Sequence, residues 1–218
     1  PLITAVGGID AVVSGSVSDQ RIVGTAVSGR AVTLVAVIPA SGNALSYEEP
    51  LGSVMPDATG AYSLAFSSTA LRNLGERSGL LLIARQADAA GNIASSAPFT
   101  FAIDTVAPTQ ASISSVGGSD SVVTSVADAV VSGTATAGMV VSLLGSDDGV
   151  TYRSLGSVTA NASGTFSASL TQAQIDGFQQ GANRLIVAEL TDAAGNTSRS
   201  YPFSFTLQSL PPNAPTIN

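Results

Sequence analysis

Large apolar side chains recur at every second position in short stretches throughout this chain of 218 residues. The clearest stretch places Phe99, Phe101 and Ile103 on one face and Thr100 and Ala102 on the other. Side chains two positions apart on an extended chain point to the same face, so the pattern predicts a half-buried β-strand. Turns rich in glycine, serine and aspartate separate the stretches, which predicts an all-β protein.

The same order of stretches occurs twice, and the second copy follows the first by 104 positions. The segment Asp88-Ala89-Ala90-Gly91-Asn92 returns as Asp192-Ala193-Ala194-Gly195-Asn196. The alternating strand of residues 99–103 returns over residues 203–207 with the same large residues on one face. Agreement at separated places without a shift indicates a tandem repeat.

About seven strands in about 100 residues favour a two-sheet sandwich over a barrel. We therefore predict two tandem Ig-like β-sandwich domains over residues 1–104 and 105–210, with 211–218 as the start of the next linker. The polar segments 71–78 and 172–181 are each expected to hold a short helical turn. Strands are expected near 2–6, 21–27, 31–38, 51–55, 61–67, 80–87 and 97–103, and in the second repeat near 111–116, 129–136, 139–145, 151–158, 164–170, 184–191 and 200–207.

One hairpin distinguishes the two copies. The first repeat carries extra residues within the segment 39–50, which includes Tyr47 and the pair Glu48-Glu49. The second repeat closes the same hairpin with Ser146-Asp147-Asp148-Gly149, which is an ordinary turn sequence. Adjacent residues on a strand point to opposite sides, so Glu48 and Glu49 are interpreted as a solvated loop and not as a catalytic pair.

The amino-acid composition excludes most common catalytic and metal-binding arrangements. The chain has neither cysteine nor histidine, which excludes disulfides, thiolate metal sites and a Ser-His-Asp arrangement. All eight basic residues are arginines and the net charge is −7. No nucleic-acid partner is therefore expected, and the acidic surface favours the binding of cations. The sequence holds no continuous apolar run of about 18 residues, so no membrane span is expected. We predict a monomer that is not an enzyme.

The segment Asp88–Asn92, the strand Pro98-Phe99-Thr100-Phe101 and the linker Asp104-Thr105-Val106-Ala107-Pro108 together form a recognisable combination. The combination resembles the bacterial Ig-like repeats of very large surface adhesins and biofilm-associated proteins, and the resemblance covers nearly the whole chain. It implies a secreted protein of the bacterial cell surface, built as a stalk of many repeats. It also implies that the partners of each repeat are its neighbours in the same chain, and that calcium stiffens the junctions.

Chain order in such a sandwich brings several carboxylates to the end at which the chain leaves the first repeat. The loop after the first strand offers Asp10 and Asp19, and the linker offers Asp104. Asp192 of the second repeat is expected to face back toward them. Like charges disfavour such a cluster unless a cation neutralises it. Calcium fits best because it takes six to eight oxygen ligands in flexible geometry.

The hairpin with Glu48 and Glu49 is expected to project from the same end, and no arginine is obviously placed to pair with this group of carboxylates. Asp88, the counterpart of Asp192, is included among the predicted ligands. Aspartate and asparagine also bond their own backbone in turns, so a turn role for Asp88 and Asp192 stays open beside the metal role. The predicted metal ligands are Asp10, Asp19, Asp88, Asp104 and Asp192.

Two function classes stay open. The leading hypothesis is a structural module of an adhesin that holds a distal binding domain away from the cell, in cell adhesion or biofilm formation. The alternative is a module that binds a glycan or protein of a host surface or matrix through the hairpin 39–50. A glycan site usually presents exposed aromatic rings, and only 5% of this chain is aromatic, which favours the structural module.

Overall fold

A computed structural model describes residues 1–40 and 46–210. The tip of the predicted hairpin, residues 41–45, and the predicted linker start, residues 211–218, lie outside the described residues. The chain divides into two compact units. The first comprises Pro1–Val106 together with Ala193–Asn196, and the second comprises Ala107–Asp192 and the chain from Thr197 onward.

The first repeat has nine strands and one short helix within its described residues, where seven strands were predicted. The two unpredicted strands are β2 and β8, which have two and three residues. The elements are β1 (Leu2–Val6), β2 (Val12–Val13), β3 (Arg21–Thr25), β4 (Val32–Ile38), β5 (Tyr47–Val54), β6 (Ala61–Ala65), α1 (Ser68–Leu74), β7 (Arg77–Ala87), β8 (Ile93–Ser95) and β9 (Phe99–Ile103).

The second repeat follows the same order. Its elements are β10 (Ser112–Val116), β11 (Val122–Val123), β12 (Val130–Thr134), β13 (Val140–Ser146), β14 (Arg153–Thr159), β15 (Thr165–Ser169), α2 (Gln172–Asp176), β16 (Gly181–Thr191), β17 (Thr197–Arg199) and β18 (Phe203–Leu207).

Each repeat is a sandwich of two sheets, as predicted. In the first repeat a three-stranded sheet has the order β1-β3-β6, and the larger sheet has the order β2-β9-β7-β4-β5 with β8 paired to β7. The second repeat has the orders β10-β12-β15 and β11-β18-β16-β13-β14, with β17 paired to β16. The β2–β9 and β11–β18 pairs are parallel, and the other strand pairs of these sheets are antiparallel.

Each repeat has its own hydrophobic core between the two sheets. The alternating strands supply it as predicted, because Phe101 and Phe205 are almost fully buried. The Phe101 ring lies 5.8 Å from the Phe66 ring, and the Phe205 ring meets the Phe178 ring edge to face at 5.2 Å. Such ring pairs add to the free energy gained from burial alone.

Gln86 interrupts the apolar face of β7 at the position where the second repeat has Leu190. Its side chain is buried, and all the bonds it makes go to the loop between β3 and β4. Its Oε1 accepts a hydrogen bond from the Val27 N–H (3.1 Å), and its Nε2 donates to the carbonyls of Val27 (2.8 Å) and Arg30 (2.9 Å). The amide therefore ties that loop to the sheet, which satisfies its polar atoms inside the core.

The predicted helical turns are present, but the first lies earlier than residues 71–78. Helix α1 begins after Ser67, whose side chain accepts a hydrogen bond from the Ala70 N–H, and it ends at Gly75 with φ of 66°. Serine is a favoured N-cap, and glycine adopts positive φ at little cost, so these two residues set the limits of the helix. Its last residue, Leu74, is fully buried in the core.

The chain enters and leaves the first repeat at opposite ends of the sandwich. Gly7, directly after β1, approaches β2 so closely that a Cβ atom there would lie 2.2 Å from the Val12 carbonyl oxygen. The Asp104 N–H, directly after β9, donates to the Val13 carbonyl (3.0 Å). The last residues of β1 and β9 therefore share one end. The first residue of β1, Leu2, lies about 13 Å away at the other end, since a strand rises about 3.3 Å per residue.

The second repeat has the same arrangement. A Cβ atom on Gly117 would lie 2.5 Å from the Val122 carbonyl oxygen. The Gln208 N–H, directly after β18, donates to the Val123 carbonyl (2.8 Å). In this repeat too the chain enters at one end and leaves at the other.

Candidate functional site

Three of the five predicted calcium ligands border the short strand β2 of the first repeat. Asp10 accepts a hydrogen bond from the Val12 N–H (3.1 Å), and Asp19 accepts one from the Ser14 N–H (2.8 Å). The main chain of Asp104 bonds to Val13 between them. The structure thus brings Asp10, Asp19 and Asp104 to one end of the repeat, as their order in the chain predicts.

The carboxylates of this loop also shape the backbone, and the second repeat repeats that role. Asp120 accepts from the Val122 N–H (3.1 Å) as Asp10 does from Val12. Asp128 accepts from the N–H groups of Thr124 and Ser125, both at 3.0 Å. The bonds that Asp10 and Asp19 make to the backbone use one oxygen of each carboxylate. A turn residue and a calcium ligand are therefore compatible roles for the same side chain.

Asp88 does not join this group, because it lies at the other end of the first repeat. Strand β7 begins beside Ile103 and runs the length of the sheet before Asp88 follows it. The Asp88 carboxylate accepts from the side chain of Asn92 (2.8 Å) and from the N–H groups of Asn92 (2.9 Å) and Ala90 (2.8 Å). The Asn92 side-chain bond is the main reason that the pKa of Asp88 is lowered. Asp88 thus acts as a turn residue.

Asp192 belongs to the second unit and directly follows β16, where it is half-buried. Its role as a ligand stays a prediction. Across residues 1–40 and 46–210, no three acidic side chains form a group that could hold a metal ion. The donor type of Asp10, Asp19 and Asp104 suits calcium, since carboxylate oxygens are its preferred ligands.

The expectation that the hairpin carboxylates have no arginine partner is wrong. The two terminal nitrogens of the Arg85 guanidinium, Nη1 and Nη2, donate to the Glu48 carboxylate, Nη1 at 2.8 Å, and this hydrogen bonding lowers the pKa of Glu48. Glu49 accepts from the Asn73 side chain (2.7 Å). Both glutamates also lie on β5 and not in a loop, because the extra residues extend the β4–β5 pairing as far as Tyr47. They are therefore paired separately from Asp10 and Asp19.

The turn role of Asp148 is confirmed. Its carboxylate accepts from the N–H groups of Thr151 (2.8 Å) and Val150 (2.9 Å), and these bonds lower its pKa to about 2. A carboxylate that accepts several backbone N–H bonds is stabilised in its charged form. Asp148 closes the β13–β14 hairpin, as the sequence Asp148-Gly149 predicts.

Sequence reasoning missed a charged group beside that turn. Asp147 pairs with Arg153 (3.2 Å) and Arg184 (3.3 Å). The Arg153 guanidinium carbon also lies 3.9 Å from the centre of the Phe178 ring. A cation over an aromatic face is attracted by the ring, so the group fastens the loop to the core. No short motif marks it, because its members are up to 37 positions apart.

A second contact that sequence reasoning missed lies at the start of the outgoing linker. Thr105 is hydrogen-bonded to Glu76, and Ser209 is hydrogen-bonded to Gln180 in the second repeat. The sequence shows only that the two pairs are equivalent, because Glu76 aligns with Gln180 and Thr105 aligns with Ser209 in the 104-residue repeat.

Within the described part of the chain, neither helix is long and apolar enough to cross a membrane. Helix α1 has seven residues and helix α2 has five.

No protein-family model and no curated protein matches the chain. Among solved structures, the chain is similar to a Ca2+-stabilized adhesin that helps an Antarctic bacterium bind ice, with 24% identity and a TM-score of 0.44 over 96% of this chain and 49% of that one. It is similar to a 1.5-MDa bacterial ice-binding adhesin, with 20% identity and a TM-score of 0.39 over 95% of this chain and 64% of that one. It is also similar to the BSP domain of a biofilm-associated protein, with 19% identity and a TM-score of 0.32 over 92% and 29%. The chain thus spans about half of the first of these structures and less than two thirds of the second.

Proposed function

We propose that this chain is a structural module of a bacterial surface adhesin, made of two spacer domains that hold a distal binding region away from the cell. The observation that supports the proposal is the path of the chain through each sandwich. Because the chain enters at one end and leaves at the other, every such repeat adds its own length to a tandem array. We place the array in a secreted protein of the bacterial cell surface, where it would serve adhesion or biofilm formation.

The separate cores support the same proposal. Each repeat has a hydrophobic cluster of its own, so a repeat does not depend on its neighbour for a core. Arrays built from such units keep their stability as repeats are added, because each repeat contacts only its neighbours. We take residues 1–104 and 105–210 as the two modules. Their partners are neighbouring repeats of the same chain, and the function requires no catalytic site.

We further propose that calcium stiffens the junction after the first repeat. Asp10, Asp19 and Asp104 would hold the ion, and Asp192 of the second repeat would complete the ligand set. Asp88 would serve a preceding repeat in the same way as Asp192 serves the first. Calcium would supply the positive charge that lets these carboxylates approach one another. Support comes from the three first-repeat aspartates, which all border the strand β2.

The test compares the 218-residue chain in calcium and in chelator by calorimetry and small-angle scattering. Extracellular modules bind calcium with a Kd of about 10⁻⁴–10⁻³ M. At a hundredfold excess over Kd, binding to the folded state adds about 2.7 kcal/mol, so Tm should rise. The maximum dimension should also increase with calcium. Asp104→Asn and Asp192→Asn should each remove most of both effects.

Asp148→Asn is the matched control, because that carboxylate serves the β13–β14 turn and should leave both calcium effects intact. Equal Tm and equal dimensions in calcium and in chelator would refute the calcium site. The junction between the repeats would then be held by packing alone or not at all. Binding of the chain to a glycan array, lost in Tyr47→Ala, would support the ligand-binding alternative instead. Tyr47 lies on β5 and is 48% exposed.

A further inference from the structure

In each repeat, the residue two positions beyond the last strand is hydrogen-bonded to a side chain of the same sandwich. In the first repeat this residue is Thr105. Its N–H donates to Glu76 Oε2 (2.8 Å) and its hydroxyl donates to Glu76 Oε1. One carboxylate thus receives two hydrogen bonds from a single linker residue, one from its main chain and one from its side chain.

The second repeat makes the same two-point contact with different side chains. The Ser209 N–H donates to Gln180 Oε1 (2.9 Å), and Gln180 Nε2 donates to the Ser209 hydroxyl (2.8 Å). Ser209 also lies two positions beyond its last strand, β18. The carboxylate has become an amide and the threonine a serine, yet both contacts are retained. Because the contact is kept while both side chains differ, it is a feature of the repeat and not of one particular pair of side chains.

The register of the sheets explains why these residues meet. Strand β7 begins with Arg77 opposite Ile103, the last residue of β9, so Glu76 lies just past the end of that pairing. Strand β16 begins with Gly181 opposite Leu207, which puts Gln180 in the equivalent place. A long side chain at this position reaches the first linker residues without any change in the sheet.

We propose that Glu76 and Gln180 are linker-anchoring residues, which fix the outgoing chain of each repeat through two hydrogen bonds and without a metal ion. A residue held at both its N–H and its hydroxyl cannot rotate freely about its backbone bonds. The anchored part of the outgoing chain therefore extends as far as Thr105 in the first repeat and Ser209 in the second. This anchoring stands apart from the calcium proposal, because Glu76 and Thr105 lie in the first compact unit, Gln180 and Ser209 lie in the second, and each pair contains its own donors and acceptors.

The test measures amide hydrogen exchange at Thr105 by NMR in the 218-residue chain with chelator present, so calcium plays no part in the result. Glu76→Ala should accelerate exchange at Thr105 by about tenfold, which corresponds to the loss of about one net hydrogen bond. Glu76→Gln is the matched control. It installs the side chain that the second repeat uses, so Thr105 should keep its protection.

Exchange at the core amide of Leu82 reports whether the repeat stays folded. Unchanged exchange at Thr105 in Glu76→Ala would overturn the proposal, and so would a loss of protection in Glu76→Gln that matches the loss in Glu76→Ala. If Glu76→Ala also accelerates amide exchange at Leu82, the Gln180→Ala variant provides the test instead. Faster exchange at Ser209 in that variant supports the anchoring role, and exchange equal to wild type overturns it.

Discussion

Replacing the buried Gln86 by leucine should destabilise the first repeat, although leucine is the residue at the equivalent position of the second repeat. Gln86 makes three hydrogen bonds to the loop between β3 and β4, and two of them go to Val27. Leucine is apolar and of similar size, so the change removes these bonds and leaves the core filled. The variant therefore separates the contribution of the amide from that of apolar burial.

The structure allows the magnitude to be worked out. Three net hydrogen bonds contribute about 0.5–1.5 kcal/mol each, or about 1.5–4.5 kcal/mol together. Leucine offsets part of this loss, because its side chain has four apolar carbons where Gln86 has two methylene groups, and two further buried carbons add about 1.6 kcal/mol. The first repeat should therefore lose about 1.4 kcal/mol at the middle of the hydrogen-bond range and about 3 kcal/mol at its top. For a domain of this size, each kcal/mol lowers Tm by about 4–8 °C.

The assay is differential scanning calorimetry of the full chain, with the reciprocal variant Leu190→Gln for comparison. Gln86→Leu should lower the transition of the first repeat alone. Leu190→Gln should lower that of the second repeat by about 2–5 kcal/mol, because Leu190 is fully buried among apolar side chains. An unchanged or raised Tm in Gln86→Leu would show that the three bonds add nothing net, and that apolar burial alone governs this position.

Three further predictions concern the core, a turn and the domain boundary. Phe101→Ala and Phe205→Ala should each cost about 3–5 kcal/mol in urea unfolding, whereas Glu49→Gln should change stability by no more than about 0.5 kcal/mol; the reverse ranking would contradict the assigned strand faces. The lowered pKa of Asp148 means that its contribution to stability is present above its ordinary value of 3.8 and is lost as pH falls toward about 2. Wild-type Tm should therefore fall more steeply across that window than Tm of Asp148→Asn, and equal slopes would refute the turn role. The fragment 1–105 should melt cooperatively on its own, since its core is complete, and a molten fragment would show that the boundary is misplaced.

Two predicted strand starts were too late because the pairing of those strands is irregular. Strand β7 begins at Arg77 and β16 at Gly181, three positions before the predicted starts at 80 and 184. Both segments contain a shift of register, between Arg77 and Leu80 and between Gly181 and Arg184. A bulge interrupts the alternation of faces, so the pattern of apolar residues cannot show that the strand continues through it.

The tandem repeat, the strand faces and the core aromatic residues could be predicted from the sequence alone. These features depend on the spacing of neighbouring residues, because a strand that turns one face to the core must alternate at every second position. Phe101 and Phe205 follow this rule in both copies, and comparing the copies fixed the orientation of the strand that holds Gln86.

Only the tertiary structure decided which distant side chains meet. Glu76 bonds to Thr105 across 29 positions, and Glu48 bonds to Arg85 across 37. The two-residue strand β2 also became visible only through its parallel pairing with β9. Such contacts depend on how strands are placed side by side, which no local alternation encodes. Aspartate suits both a turn and a cation site, and only the structure shows which backbone N–H groups donate to the Asp88 carboxylate.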